Sequence, residues 1–530
     1  MFVENPVLKG FYPDPSICRV GEDFYMVNST FSYVPGIPVF HSRDLKNWEQ
    51  IGNVLERPSQ LKLEGAGMSR GIYAPTIRFH AGVFYVITTN VSYGGNFYVT
   101  AEDPSGPWSE PVYLQVPDGM DPGIDPSLFF EGDKCYYVGQ RQKRNAGFYG
   151  DCEVWLQELD LESGRLIGED LSLYAGSMQN AVWVEGPHLY RIGDYYYLTF
   201  AEQGTGFEHS ISVARSRALA GPYENYRCNP LLTHRHLGRQ YPIQNIGHGD
   251  LVDTPEGKWY LVMLGTRPIN GASPLGRETF LAEVEWEDDW PVVNPGEGRI
   301  RWQQKVDLKE SEQPSKGRVV PAWQSHMEMK FEEPLDLRFL FFRWPREDTY
   351  RIISPDQVEL LAGEGRPEYK DKILSYMGLR QQSREFSISV LAGIPMGEGE
   401  GGLLYLHDDD NYIKLVLRRE TKDSDKLVLV AEKREKGSGQ VLLRQEMREE
   451  ELLAGESVES QGRSFISLKI TGSGQQISLW AMDQVLAEGI PVDFLSSERS
   501  GGFVGCTYGI YAGGKEEEYI SFKNLVVLYQ

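Results

Sequence analysis

The segment Asp14-Pro15-Ser16-Ile17-Cys18-Arg19-Val20-Gly21 is the first copy of a pattern that recurs along residues 1–300 and indicates their architecture. Each copy has a short acidic or polar triplet ahead of an apolar strand. A glycine turn, seven to nine residues after the triplet begins, leads into a second strand with a tyrosine or paired aromatic residues. The later triplets are Ala74-Pro75-Thr76, Asp125-Pro126-Ser127, Glu185-Gly186-Pro187 and His248-Gly249-Asp250.

The spacing of these copies predicts the architecture of the first domain. Successive turn glycines stand about 50–65 residues apart, which matches one four-stranded propeller blade better than one turn of a solenoid. Five copies therefore predict a five-bladed β-propeller. Long helical periodicity is absent from the same residues, as expected of an all-β fold.

Three of the five triplets carry a carboxylate at equivalent positions, Asp14, Asp125 and Glu185. The first strand of each blade lines the central channel, so these positions converge on one axis. An Asp-Pro-Ser triplet can also be a plain turn that leads into a strand. Three acids in register are harder to explain as turns alone, and they predict a shared site in the channel.

Two chemistries use such a set of acids. Hydrolysis of a glycosidic bond needs a protonated acid for the leaving oxygen and a carboxylate on the opposite face of the sugar. A third carboxylate nearby disfavours ionisation of the acid and raises its pKa. The alternative is a metal site built from oxygen ligands.

Two further polar residues belong to the fifth copy. His248 shares the register of the acids, and it can ligate a metal, hydrogen-bond to an acid or pack against the channel wall. Arg267 follows the fifth aromatic strand, where it can orient carboxylates or bind a sugar hydroxyl. The plain alternative for Arg267 is a surface salt bridge, which contributes little stability.

The composition of the 530 residues indicates a second domain and a soluble chain. We assign residues 1–303 to the propeller, the polar segment 304–320 to a linker and residues 321–530 to a jelly-roll-like, concanavalin A-like β-sandwich, in which apolar and polar residues alternate cleanly. A net charge of −23 argues against nucleic acid and anionic membranes as partners. The five cysteines are scattered, and no signal peptide or long apolar run is present, so we predict a cytoplasmic location.

Several motifs together resemble glycoside hydrolase family 43, in its group of β-xylosidases and α-L-arabinofuranosidases with a C-terminal β-sandwich. The resemblance covers nearly the whole chain. The motifs that carry it are Asn5-Pro6-Val7-Leu8-Lys9-Gly10-Phe11-Tyr12-Pro13-Asp14-Pro15-Ser16, Ser29-Thr30-Phe31, Glu185-Gly186-Pro187-His188-Leu189-Tyr190, Gly247-His248-Gly249 and Pro274-Leu275-Gly276-Arg277-Glu278-Thr279.

The resemblance implies an inverting mechanism. Asp14 falls on the general base, Glu185 on the general acid, and Asp125 on the third acid, which orients Glu185 and raises its pKa. The implied substrate-binding residues are Phe31, His248, Arg267 and Phe503. The chain departs from the usual Val-Trp-Ala-Pro of many β-xylosidases at Gly71-Ile72-Tyr73-Ala74-Pro75, where we expect Tyr73 to stack on a sugar. Phe503 would reach back from the sandwich, in the loop Gly501-Gly502-Phe503-Val504-Gly505, to make the pocket blind. No cofactor is required, although in some members the central histidine, here His248, helps to hold a structural calcium ion.

The leading hypothesis is therefore an exo-acting glycosidase that takes xylose or arabinofuranose from short oligosaccharides. A non-catalytic, carbohydrate-binding propeller is the alternative from another class, and a propeller scaffold for protein partners is a third. Within the enzyme class, a polymer-cutting arabinanase would need an open cleft, which a covering Phe503 would block. Two-domain members often assemble, so a homo-oligomer is also possible.

Overall fold

Five antiparallel sheets follow one another along the first half of the chain in a computed structural model. The structure describes residues 1–117, 119–311, 315, 317–421, 426–449, 458–460, 463–515 and 517–530. Each sheet is one propeller blade with four strands in chain order, and the sheet of blade 1 gains a fifth strand from residues 320–321. The five first strands contact one another in a closed ring, blade 1 against blade 2 and so on round to blade 5 against blade 1. The predicted five-bladed propeller is confirmed.

Each blade runs from an inner strand to an outer strand. Blade 1 contains Ser16–Val20, Asp23–Val27, Gly36–Ser42 and Glu49–Leu55. Blade 2 contains Ile72–His80, Val83–Asn90, Gly95–Ala101 and Val112–Tyr113. Blade 3 contains Ile124–Glu131, Lys134–Gln142, Cys152–Asp160 and Arg165–Tyr174. Blade 4 contains Glu185–Ile192, Tyr195–Glu202, Ser210–Ser216 and Glu224–Asn225, and blade 5 contains Gln244–Asp253, Trp259–Thr266, Glu278–Glu287 and Trp290–Val293.

The rest of the chain forms a two-sheet sandwich. One sheet holds seven strands in the spatial order Tyr350–Ser354, Gln357–Ala362, Glu518–Tyr529, Phe386–Gly393, Arg463–Ser473, Gln476–Ala481 and Gln484–Pro491, with His326–Glu328 and Val458–Ser460 paired at its side. The other holds six, in the order Ser375–Arg380, Thr507–Gly514, Gly399–Asp408, Asn411–Arg419, Lys426–Glu435 and Ser438–Arg448. In the first sheet, Phe386–Gly393 alternates buried and half-buried side chains, because a sandwich buries one face of such a sheet. In the second sheet, Ser375–Arg380 is buried on both faces, and residues such as Leu404 share a core cluster with Phe11 of the propeller.

Short strands join the two domains and close the propeller. Phe2–Glu4 pairs with Gln303–Lys305, and Val320–Pro321 adds to the outer edge of blade 1. Tyr33–Val34 pairs with Phe341–Phe342 of the second domain. The predicted linker therefore has paired strands at both of its ends. Residues 312–314 and 316 of that linker lie outside the described residues, and its bounds stay a prediction.

The core is continuous between the domains. Leu61 and Trp108 of the propeller belong to the same buried apolar cluster as Phe339, Met377 and Leu403 of the second domain. The indole of Trp344 also donates a hydrogen bond of 2.7 Å to the carbonyl oxygen of Leu61. The sandwich is thus packed against blades 1 and 2, and this fixes the loops it presents to the channel mouth.

Helical structure is scarce in this fold. The described residues include a 3₁₀ turn at Arg235–Leu237 and one α-helical turn at Ser497–Ser500. In this part of the chain, no helix has the length and apolar character needed to cross a bilayer.

Candidate active site

The backbone distorts where the inner strands reach the mouth of the channel. Asp14 and Asp125 both have a φ of 52°, and His248 has a φ of 46°. The pairing register of the inner strand shifts beside Asp125, beside Glu185 and beside His248. Such bulges re-aim side chains next to functional sites. In the four later copies the triplet lies at a break in the strand pairing, and the first residue of all five triplets lines one cavity.

One cavity collects most of the predicted site residues. Its walls are formed by Asp14, Phe31, Tyr73, Ala74, Ile124, Asp125, Glu185, Thr205, His209, His248, Leu264, Arg277 and Phe503. Seven of the eight predicted site residues are among them. The three carboxylates come from the inner strands or strand entrances of blades 1, 3 and 4, and Phe503 comes from the second domain.

Asp14 is held as a charged carboxylate. Ser29 donates a hydrogen bond of 2.6 Å to one of its oxygens, and Arg277 donates one of 2.8 Å to the other. Burial alone would raise the pKa of Asp14, but the positive charge of Arg277, assisted by His248 and the Ser29 hydroxyl, outweighs it and lowers that pKa below its usual value. Both oxygens have fixed partners, so the orientation of the carboxylate is fixed as well.

Asp125 and Glu185 are shifted in the opposite direction. Desolvation in the cavity raises the pKa of Glu185 well above its usual value, and the negative charges of Asp125 and Asp14 add to the rise. Desolvation also raises the pKa of Asp125 to about 6, despite the opposing charge of His248. The backbone N–H of Gly186 donates a hydrogen bond to Asp125, which anchors this acid beside Glu185. One cavity thus contains a carboxylate that stays charged and a carboxyl group that keeps its proton, the division of roles that acid–base catalysis needs.

The arginine that lines the cavity is not the predicted one. Arg267 lies outside the cavity lining, where its guanidinium forms two hydrogen bonds, of 2.6 and 2.8 Å, with Glu278. Glu278 is fully buried, so it needs this cationic partner within the fold. The guanidinium that reaches the cavity belongs to Arg277, which also donates to the Thr205 hydroxyl at 3.3 Å.

Aromatic rings from both domains form part of the cavity wall. Phe31 stacks on Phe503 with 6.1 Å between ring centroids, and Tyr73 meets both rings edge-on at 5.3 and 5.7 Å. The tyrosine hydroxyl donates to the Ser69 carbonyl at 3.0 Å. Flat apolar rings beside carboxylates are a surface on which the C–H face of a sugar can pack.

The loop that carries Phe503 is docked tightly on the propeller. The backbone N–H of Phe503 donates to the Ser69 hydroxyl at 2.9 Å, and the N–H of Cys506 donates to the Pro274 carbonyl at 2.8 Å. A Cβ atom on Gly276 would lie 2.7 Å from the Cα of Gly505, so these two glycines permit the close approach. The sandwich thus contributes Phe503 to the cavity wall, and contact of this ring with substrate stays a prediction.

Behind His248 the channel is filled by a buried ion pair. Arg78 donates to both oxygens of Asp250 at 2.8 and 3.1 Å, and Ser16 and Tyr190 donate to the same carboxylate at 2.7 and 2.5 Å. Arg78 therefore links the inner strands of blades 1, 2, 4 and 5 through Asp250. Burial would raise the pKa of Asp250, but Arg78 holds that pKa well below its usual value.

The possible calcium ion at the propeller centre stays a prediction. Ca²⁺ takes six to eight oxygen ligands. The part of the chain that the structure describes holds no group of three or more His, Cys, Asp or Glu side chains arranged to bind a metal ion. The positive charge in the channel is supplied by Arg78, whose guanidinium already occupies both oxygens of Asp250.

Six cavity residues were not predicted. Three are apolar, Ala74, Ile124 and Leu264, and three are polar, Thr205, His209 and Arg277. Arg277 stood within a quoted motif and could have been singled out there. Thr205 and His209 lie after the second strand of blade 4, a position with no counterpart in the repeat. Only their proximity in the fold brings them to the acids.

Comparison with known proteins agrees with this geometry. The family described as "Glycosyl hydrolases family 43" matches residues 3–291, and the "Beta xylosidase C-terminal Concanavalin A-like domain" matches residues 329–525. A "Xylosidase/arabinosidase" of Butyrivibrio fibrisolvens is 45% identical to this chain, with 99% of each protein covered. A "Non-reducing end alpha-L-arabinofuranosidase" of Bacteroides ovatus is 35% identical, over 96% of this chain and 91% of that protein.

Solved structures extend the similarity to both domains. The Bacteroides ovatus structure titled "Xyloglucan PUL GH43B" superposes with a TM-score of 0.85 at 33% identity, and 100% of each chain is covered. A xylan beta-1,4-xylosidase from Bacillus halodurans gives a TM-score of 0.85 at 29% identity, again over 100% of each chain.

Proposed function

The chain belongs to glycosyl hydrolase family 43, and from this premise we propose that it removes single terminal xylose or arabinofuranose residues, with inversion, from short xylan- or arabinan-derived oligosaccharides. It is a glycoside hydrolase with relatives named for both sugars. The observation that carries the finer proposal is the opposite bias of two carboxyl groups in one cavity, Asp14 towards the charged form and Glu185 towards the protonated form.

Glu185 acts as the general acid in this proposal. Its proton is retained because desolvation and two neighbouring carboxylates disfavour the charged form. As the glycosidic bond lengthens, this proton passes to the leaving oxygen, so the leaving group departs as a neutral alcohol. The leaving part of the substrate therefore lies on the Glu185 side of the cavity.

Asp14 acts as the general base. It is charged, and Ser29 and Arg277 fix its two oxygens. The carboxylate takes a proton from a water molecule while that water attacks the anomeric carbon on the face opposite the leaving oxygen, which inverts the configuration. The proton lost by Glu185 and the proton gained by Asp14 balance over one turnover.

Asp125 positions and tunes the acid. It accepts a hydrogen bond from the N–H of Gly186, next to Glu185, and its charge raises the pKa of Glu185. Asp125 is a positioning residue in this scheme.

The exo mode is supported by the closed wall of the cavity. Phe31, Tyr73 and Phe503 pack against one another, and the Phe503 loop is tied to both Ser69 and Pro274. A polymer chain that runs through the site would have to displace this loop. An arabinanase, which needs an open cleft, is the runner-up, and a non-catalytic binding propeller would have no use for the opposed acids.

The proposal needs no metal, since the base, the acid and the positive charge are side chains of this protein. It takes a small oligosaccharide as its partner. A cytoplasmic location and assembly into a homo-oligomer remain predictions from the sequence.

A paired assay tests the proposed function. Wild-type protein is given 4-nitrophenyl β-D-xyloside and 4-nitrophenyl α-L-arabinofuranoside, with Asp14→Ala as the inactive control. Turnover of at least one glycoside, lost in the control, is the expected result. Turnover of neither would overturn the proposal in favour of a binding propeller or a different glycoside.

A further inference from the structure

His209 has no role in the mechanism above, although its side chain lines the cavity. It stands immediately before the third strand of blade 4, and 1% of the residue is exposed. Its backbone is fixed at both ends, since the N–H donates to Gly206 at 3.1 Å and the carbonyl accepts from the Thr233 hydroxyl at 2.8 Å. The imidazole is therefore held rigidly at the wall that it shares with Asp14 and Arg277.

The hydrogen bonds of the ring determine its tautomer. Nδ1 lies 3.3 Å from the backbone carbonyl oxygen of Asn245. A carbonyl only accepts, so Nδ1 carries the proton. Burial lowers the pKa of His209 to about 3, and the positive charges of His248 and Arg277 act in the same direction. The ring is neutral at neutral pH, and its Nε2 atom presents a bare lone pair.

That lone pair has no partner in the protein. Nε2 of His209 is a buried polar atom without a hydrogen bond to any residue in the described part of the chain. A buried acceptor without a partner is costly, and such atoms in folded proteins nearly always have one. Nε2 lies beside Gly247, and His209 is one of the residues that line the cavity with the three acids. The partner that the cavity can supply to this atom is a hydroxyl group bound there.

Gly247 lies against the imidazole of His209, with no room for a side chain. A Cβ atom on Gly247 would lie 2.0 Å from Cε1 and 2.3 Å from Nε2 of His209. Residue 247 must therefore be glycine if the imidazole is to stay where it is. This gives the first glycine of Gly247-His248-Gly249 a reason that the sequence did not reveal.

The surroundings of His209 indicate which part of the substrate it meets. The charges that act on its ring are those of His248, Arg277 and Asp14. Asp14 is the proposed base and Arg277 is hydrogen-bonded to it, so His209 is on the side of the base. In the proposed mechanism the leaving group lies towards Glu185. Arg277 offers hydrogen-bond donors at this wall and His209 offers an acceptor, the complementary pair that sugar hydroxyls require.

We propose that Nε2 of His209 accepts a hydrogen bond from a ring hydroxyl of the terminal pentose, which makes His209 a specificity-determining residue. The inference rests on the proposed function, because it takes the retained sugar to lie between Asp14 and Glu185. Beyond that function, one hydroxyl of the sugar is recognised by a hydrogen bond to a neutral histidine.

Two substitutions separate the two nitrogens. His209→Asn keeps a donor near Nδ1 for the Asn245 carbonyl but removes the acceptor, whereas His209→Gln can place an amide oxygen near Nε2. We expect His209→Asn to lose about tenfold or more in kcat/KM, mainly through KM, and His209→Gln to lose less. Unchanged melting temperatures would show that both variants fold.

Deoxy substrates make the test specific. Wild type and His209→Asn are compared on the 4-nitrophenyl glycoside that is turned over and on each of its monodeoxy derivatives. If His209 reads one hydroxyl, the penalty of the substitution disappears on the derivative that lacks this hydroxyl and persists on the others. An equal penalty on every derivative would overturn the proposal. That result is expected if Nε2 binds only a water molecule and no hydroxyl of the sugar.

Binding of the free sugars separates this inference from the proposed function. Calorimetric titration with D-xylose and L-arabinose needs no turnover. Weaker sugar binding by His209→Asn than by wild type supports the inference even if neither glycoside is hydrolysed. The absence of hydrolysis would contradict only the proposed reaction. Equal binding by both proteins contradicts the inference even if hydrolysis proceeds.

Discussion

Arg277 donates a 2.8 Å hydrogen bond to Asp14, although 263 residues separate them in the chain. The contact joins the last blade to the first and forms part of the closure of the propeller ring. It also lowers the pKa of Asp14. The same ion pair therefore contributes to closure of the propeller ring and keeps Asp14 charged.

Removing Arg277 should shift the acid limb of the pH profile. In wild type, the lowered pKa keeps Asp14 charged, and activity is lost only as the pH falls through that pKa. In Arg277→Ala the pKa rises, so this loss should begin at a higher pH, in addition to a general drop in kcat/KM. The measurement is kcat/KM against pH on an aryl glycoside. An acid limb at the same pH in both proteins would argue against Asp14 as the base.

The basic limb should respond to Asp125. Glu185 must be protonated to act, so activity falls as the pH rises through its raised pKa. Asp125→Asn removes a negative charge that contributes to that rise. The basic limb should therefore move to lower pH, and a basic limb that stays in place would mean that Asp125 does not tune the acid.

Glu185→Ala should distinguish good leaving groups from poor ones. A 4-nitrophenolate leaves with little protonation, whereas a sugar alkoxide needs the proton of the acid. We expect a loss on the order of 10²–10⁴-fold on natural disaccharides and a much smaller loss on aryl glycosides. Glu158→Gln, on the outer part of blade 3 with a surface pairing to Lys134, is the matched control. Equal losses on both substrate types would exclude Glu185 as the acid.

Phe503→Ala tests the contribution of the second domain. The ring is 36% exposed and stacks on Phe31, so its removal should cost little stability. It should raise KM about tenfold through lost contact with the sugar, because burying such a side chain is worth roughly 1.5–3 kcal/mol. Met396→Ala, an exposed apolar residue of the same domain, should leave KM unchanged. An unaltered KM in Phe503→Ala would show that the loop does not reach bound substrate.

Chelation tests the assignment of the channel centre to Arg78. If Arg78 and Asp250 neutralise each other as the structure shows, incubation with EDTA should leave kcat and the melting temperature unchanged. Loss of activity that added Ca²⁺ restores would contradict this account and would return His248 to the role of a metal-binding residue.

The sequence was sufficient for the blades and for the acids. The triplet has a fixed distance from its glycine turn, so the position of each inner strand and its first side chain could be predicted from spacing alone. Asp14, Asp125 and Glu185 share that register, and closure of the ring brings them together.

Arg277 and His209 could not be found in that way. Arg267 and Arg277 lie in the same connection between two strands of blade 5. Arg267 is outside the cavity because it pairs with the buried carboxylate of Glu278. His209 acquires its role from a carbonyl of residue 245 and the missing side chain of residue 247. Both are tertiary contacts that no local pattern records.

The anomeric configuration of the first product is the sharpest test of Asp14 as a general base in an inverting reaction. Proton NMR during early hydrolysis of a β-xyloside, or of an α-L-arabinofuranoside if that is the better substrate, shows which anomer forms before mutarotation. With Asp14 as a base that activates water, the first sugar must have the opposite anomeric configuration to the substrate, α-xylose from a β-xyloside. Release of the same anomer as the substrate would contradict the account, because it would require a carboxylate of the cavity to attack the sugar directly.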